Sequence, residues 1–241
     1  MLKEISSVFS FLTIIPSNNT DLETVARYMH VFPIIGIGIG LLIASIGFGL
    51  SFFLEPLIVA LLVVVSIAII TGIHHTDGLA DFADGLMTRG TKEKKRKAMK
   101  DLSTGSAGIV SVVLSIVGVI IALSLTTGYE LFQAILLSEI LAKFSMVLMA
   151  SIGKSAAVGS NSPFMQIMKD KRRLAAAGVI TIIPLVVIGG TTGLILFGAS
   201  IGVTLFLIGL STRSFGGITG DVLGAANELT RLSSLLIFVS L

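Results

Sequence analysis

The chain has 241 residues, of which 54% are hydrophobic and 13% charged, against about 25% charged residues in a soluble domain. With a mean hydropathy of +1.00, this composition excludes a soluble globular protein and predicts an all-α, polytopic integral membrane bundle, one domain over residues 1–241. The absence of cysteine excludes a disulfide framework and thiolate chemistry, and no nucleic-acid partner is expected.

Lys3 and Glu4 precede a short apolar stretch with no clear small-residue cleavage site, so no cleavable leader is expected. Residues 5–15 are too short to span and read as an interfacial or re-entrant helix. After the turn at Pro16, Thr20 or Asp21 can cap a short amphipathic helix running to Met29. The first span is predicted at about 31–53, where Gly36, Gly38 and Gly40 suggest a close helix contact. A turn at Glu55 and Pro56 leads to a span at 57–73, followed by the acidic segment HHTDGLADFADG (74–85) and the basic segment TRGTKEKKRKAMKDLSTGS (88–106). Further spans are predicted at 107–127, 131–150, 174–189 and 193–211, with polar segments at 151–173 and 212–221 and a GGTT turn between the last two spans. The final apolar stretch, 222–241, is interrupted by Asn227, Glu228 and Arg231. The expectation is about six to seven transmembrane helices.

Basic residues set the orientation. The turns near 54–56, 128–130 and 189–192 hold no Lys or Arg, whereas 74–106, 151–173 and 211–221 collect thirteen, from Arg89 to Arg213. All three polar segments are therefore expected on the cytoplasmic face of the cell membrane. The KEKKRK run reads as a lipid-facing anchor. Glu139 and Lys143 stand at i and i+4 within a span and are expected to pair with each other.

The acidic segment carries the chemistry. Asp77, Asp81 and Asp84 fall at i, i+4 and i+7, one stripe of a helix, where three like charges repel unless a cation lies among them. Carboxylate oxygens suit Mg²⁺, which commonly joins carboxylates to a substrate's phosphates. His74 lies on the same stripe and His75 off it; either can serve as a general base or phosphate contact. Gly78 and Gly85 permit close approach of a phosphate or of another helix. Lys100 and Asp101 precede STGSAG, whose backbone N–H groups suit either a phosphate or an ordinary helix cap. GGITGD places glycines beside Asp221, and Lys154 and Arg213 are candidate phosphate partners. Carboxylates, a hard metal and basic groups at a membrane surface point to phosphoryl or phosphodiester transfer on a bulky or lipid-associated substrate.

HHTDGLADFADG, MKDLSTGSAG and GGITGDVLGAANEL, with the N-terminal FLTIIP and VFPIIGIGIG, resemble the motifs of the cobalamin synthase family, the adenosylcobinamide-GDP ribazoletransferases. The likeness runs through nearly the whole chain in the family's order. It implies a Mg²⁺-dependent enzyme that joins α-ribazole or its 5′-phosphate to adenosylcobinamide-GDP and releases GMP. It also implies that His75, Asp77, Asp81, Asp84, Lys100, Asp101 and Asp221 are the family's site residues. Leu102 and Lys143 depart from the residues usual there, which touches fine substrate contacts only. Membrane lipid is an expected neighbour, and the glycine-rich faces leave room for a homodimer. The rival readings are a CDP-alcohol phosphotransferase, whose Ala-Arg after the Asp-Gly is absent here, and a cation transporter using the aspartates.

Overall fold

The computed structural model describes residues 2–17, 21–156 and 162–241. Its elements are α1 (Leu2–Leu12), α2 (Leu22–Arg27), a 3₁₀ turn (Met29–Val31), α3 (Phe32–Leu50), α4 (Pro56–Thr71), α5 (His74–Met87), α6 (Lys92–Ala98), α7 (Ser106–Ser124), α8 (Gly128–Ile152), α9 (Ser162–Ile167), α10 (Lys171–Phe215) and α11 (Gly220–Phe238). Asp21 caps α2 by accepting the Thr24 N–H at 2.8 Å; the alternative cap, Thr20, lies outside the described residues. Among the described residues the only β pairing is one bridge between Ser155 and Ile218.

The bundle is built around α8. It is apolar on every side, and 89% of its most apolar window is buried, the pattern of a helix enclosed by others. Against it lies α3, whose Gly36 and Gly40 face it: a Cβ on Gly36 would stand 2.8 Å from the Glu139 carbonyl oxygen, and one on Gly40 3.2 Å from the Leu136 Cα. Gly38, expected with them, looks away, with the Phe9 ring 3.9 Å from where its Cβ would be. Small residues give close backbone approach where lipid supplies no hydrophobic drive between helices. By contrast α7 turns Ile109, Val113, Leu114 and Ile121 outward, each more than half exposed, as a lipid-facing surface requires.

Among the described residues four helices are long and apolar enough to cross a bilayer, or up to five if α4 and α5, bent at 93°, count as one broken span. The sequence reading of six to seven differs for physical reasons. One is that α4 has only 16 residues, short of a full crossing. Another is that α11 carries Asp221, Glu228 and Arg231. The third is that α10 counts once although Gly190, at φ 55° and ψ −130°, breaks it into limbs 171–189 and 191–215. That break coincides with the turn read from GGTT. The N-terminal helix α1 ends beside α4, where the Ile14 N–H donates to the Ile70 carbonyl at 2.9 Å.

The middle of the bundle holds charge. Arg231 of α11 reaches Glu139 of α8 at 2.5 Å and Glu228 at 2.6 Å. Lys143 donates to Asn227 at 2.7 Å and lies 3.5 Å from Glu139, and Asn227 donates to Glu228 at 3.0 Å. All five side chains are buried. The expected Glu139–Lys143 pair exists, but as the weaker part of a network with two acids and two bases.

Candidate functional site at the polar end of the bundle

Two left-handed residues start the site. Gly72 (φ 63°) ends α4 and Ile73 (φ 65°) precedes α5, turning the chain through 93°. Left-handed backbone is disfavoured for a β-branched residue by about 1–2 kcal/mol, so the packing around α5 enforces this corner. The helix that follows lies across the end of the bundle rather than along its axis. It carries the acidic stripe as expected: Asp77 is exposed, Asp81 and Asp84 are half-buried, and His74 and His75 part company, the first exposed and the second buried.

α5 is held in place by α11 through two facing glycines. A Cβ on Gly78 would stand 3.2 Å from the Gly224 Cα, and one on Gly224 3.2 Å from the His75 carbonyl oxygen. Gly78, expected to permit close approach of a phosphate or of another helix, meets a helix here, and the crossing brings Asp221 to α5. Replacing Gly224 by leucine sets a side chain against the α5 backbone. The expected result is a loss of about 1–3 kcal/mol or more, seen as a lower unfolding midpoint in detergent; an unchanged midpoint would mean the helices are not in contact there.

Electrostatics show that the acids share one space. Asp81 is pushed up to about 6 from 3.8, first by burial and then by the charges of Asp221, Asp77 and Asp84. Burial pushes Asp221 up as well, opposed by the Thr219 hydroxyl at 3.2 Å and by the Lys100 charge, with Asp77 adding to the rise. Lys100 is thus near enough for its charge to act on Asp221. Asp101 does not share its position: it accepts from the Ser103 N–H at 3.0 Å and hydroxyl at 2.6 Å, a local turn that holds its carboxyl below the usual range. His75 is held neutral, first by burial and then by the Lys143 and Arg231 charges.

Asp84 has a different setting. Its carboxylate accepts the N–H groups of Gly105 and Gly108, at 2.7 and 2.8 Å, so it caps the N-terminus of α7 from another helix. The STGSAG backbone thus meets a carboxylate. A metal at Asp84 would use the lone pairs these bonds leave. Replacing Asp84 by alanine is expected to orphan two N–H groups at a cost of about 1–3 kcal/mol, measurable as faster amide exchange at Gly105 and Gly108; unchanged protection there would rule out the cap.

The remaining segments gather at the same end. The strand-like bridge, with the Ile218 N–H donating to Lys154 O at 2.7 Å, sets Lys154 beside GGITGD. Arg213 is exposed in the last turn of α10. Two residues of the basic run, read as lipid-facing, close helix ends: Lys95 donates to Leu86 O at 2.7 Å, and Arg96 to Phe215 O at 2.6 Å. Cations favour helix C-termini.

The donor set fits a hard cation. Asp77 and Asp81 stand one turn apart, Asp221 faces them, and their mutual repulsion is what a divalent ion relieves. Among the described residues no group of three or more His, Asp or Glu side chains could by itself hold a metal ion. Mg²⁺ does not need such a group: it keeps several waters and takes one or two carboxylates together with substrate phosphates.

The fold and this acid-lined end define a helical membrane enzyme of the phosphate-transfer type. A profile of the cobalamin-5-phosphate synthase family matches residues 4–239, and the chain belongs to that family. The adenosylcobinamide-GDP ribazoletransferase of Methanocella arvoryzae is 33% identical over 98% of this chain and 94% of its own. Those of Pyrococcus abyssi and Archaeoglobus fulgidus are each 35% identical, over 96% and 98% of this chain and 95% and 96% of theirs. No solved structure matches.

Proposed function

We propose that the protein transfers the adenosylcobinamide-phosphate group from adenosylcobinamide-GDP to α-ribazole or its 5′-phosphate, releasing GMP and forming adenosylcobalamin or its 5′-phosphate. The observation that carries this is the meeting of Asp77, Asp81, Asp221 and Lys100, drawn from three separate motifs, at one end of the bundle. Asp77 and Asp81 would hold Mg²⁺ on the diphosphate, with Asp221 facing them and Asp84 fixing α5 against α7. Bound there, Mg²⁺ neutralises charge on the diphosphate and on departing GMP. Lys100 lies beside Asp221 and offers a positive charge to the phosphates, and Lys154 and Arg213 stand at the exposed margin for the nucleotide. The attacking group is the ribose 3′-hydroxyl, since the lower loop is a 3′-phosphodiester. His75, neutral and buried, or Asp77 takes its proton.

Lipid surrounds the outward face of α7, and the basic segments face the cytoplasm. Because the chain holds no cysteine, single cysteines at Lys94 or Leu102 test that orientation by labelling from either side. A transporter would need an ion site inside the bundle; among the described residues the buried acids Glu139 and Glu228 are paired with Arg231 and Lys143. The deciding experiment uses purified protein in vesicles. GMP release from adenosylcobinamide-GDP is expected to require both α-ribazole and Mg²⁺ and to stop with EDTA. Mg²⁺ flux without GMP release would overturn the reading.

A further inference from the structure

A cavity of about 520 Å³ opens beside the acidic site. One wall comes from the two helices that build that site, with His74 and His75 of α5 and Gly220 and Gly224 of α11. The opposite wall is aromatic. Phe11 stands 6.4 Å from Phe32 and 5.9 Å from Phe164 between ring centroids, tilted by 35° and 33°. Phe11 and Leu22, both more than a third exposed, line the cavity as well.

We propose that this cavity is the acceptor subsite, taking the flat, largely apolar heterocycle of the nucleoside against the Phe11 ring, which the buried Phe32 and Phe164 support from behind, with the ribose on the α5–α11 wall. The inference rests on the transferase reading and deepens it. Three features point this way. Aromatic rings bind a planar heterocycle through its faces, with little dependence on hydrogen-bonding edges. His75 lines the cavity, is 7% exposed, and its Nδ1 has no hydrogen-bond partner; a turn of the imidazole toward a ribose hydroxyl would supply one. The volume admits a nucleoside and is too small for a corrin ring with its side chains, since pockets for drug-sized ligands run from about 300 to 1,000 Å³. The donor must therefore approach from outside the cavity, over the acids, where Asp77 is exposed. His74, on the cavity wall, and Asp77 lie three residues apart on one stripe of α5, so the ribose hydroxyl and the donor's phosphate meet along that face.

The test uses the full-length protein in detergent. Phe11→Ala removes a ring and Leu22→Trp fills the cavity; at partly exposed positions neither opens a void in the core. Each is expected to raise KM for α-ribazole by about tenfold or more, with KM for adenosylcobinamide-GDP and kcat at saturation within about twofold. Equilibrium dialysis with labelled α-ribazole, without donor or metal, separates this claim from the transferase reading. Retention by the unaltered protein and its loss in Leu22→Trp, at an unchanged unfolding midpoint, supports the cavity whether or not GMP is released. Absence of retention, equal retention in both, or a rise in donor KM alone overturns it.

Discussion

Asparagine at Asp77 or at Asp81 is expected to lower GMP release by about 10³-fold or more. A metal on a diphosphate contributes several kcal/mol of charge stabilisation, and each 1.36 kcal/mol is a factor of ten. The amide keeps the shape of the carboxylate and removes its charge, so the ion loses a ligand while α5 stays folded. Position 81 carries a sharper prediction. Its carboxyl is pushed up to about 6 from 3.8, so above that pH, where it is mostly ionised, its charge makes the folded protein less stable relative to the unfolded chain, and the penalty fades as pH falls through 6 toward 4. Asp81→Asn should then raise the unfolding midpoint of the metal-free protein while abolishing turnover. Opposed effects of this kind separate a functional acid from a structural one, and Asp84→Ala should show the reverse signature of lost stability. Turnover close to that of the unaltered protein in both asparagine variants would remove the metal site.

Arg231→Leu is expected to be the most destabilising single change in the bundle. Arg231 holds both Glu139 and Glu228, at 2.5 and 2.6 Å, and the network balances two acids with two bases. Its loss leaves a buried negative charge with no counter-ion, which typically costs about 3–5 kcal/mol and more where lipid replaces water. The protein should not survive extraction in mild detergent as a monodisperse peak. Adding Glu139→Leu restores charge balance between Lys143 and Glu228 and should recover much of the loss. If the double variant is as unstable as the single one, charge compensation is not what the network provides.

The membrane class was legible because a 3.6-residue helix is nearly the only way to bury 54% apolar residues in lipid. The acidic helix was legible from spacing alone, and so was the break at Gly190, from GGTT. What spacing does not carry is partnership across the fold. Glu139 and Lys143 invite pairing at i and i+4, but Arg231, 92 residues on, is the stronger partner. In the same way Asp84 belongs to the acidic stripe by period and to α7 by contact. Lys95 and Arg96 sit in a run whose composition says membrane surface, and only the packing of α6 aims them at two helix ends. Gly78 was flagged for close approach, and the structure shows what approaches: α11. The aromatic cavity could not be read at all, since Phe11, Phe32 and Phe164 come from three helices.

The central charge network also bears on how the chain is made. α8 is translated before α11, so until Arg231 is made its Glu139 has only Lys143, one helical turn away, as a partner. Until translation reaches Arg231, that helix is a poor resident of the bilayer and has reason to linger at the insertion machinery. Arrival of the C-terminal helix releases it, and the same event docks Asp221 beside Asp77. α11 thus carries both the counter-ion of α8 and Asp221 of the acidic end, so the docking of one helix completes both.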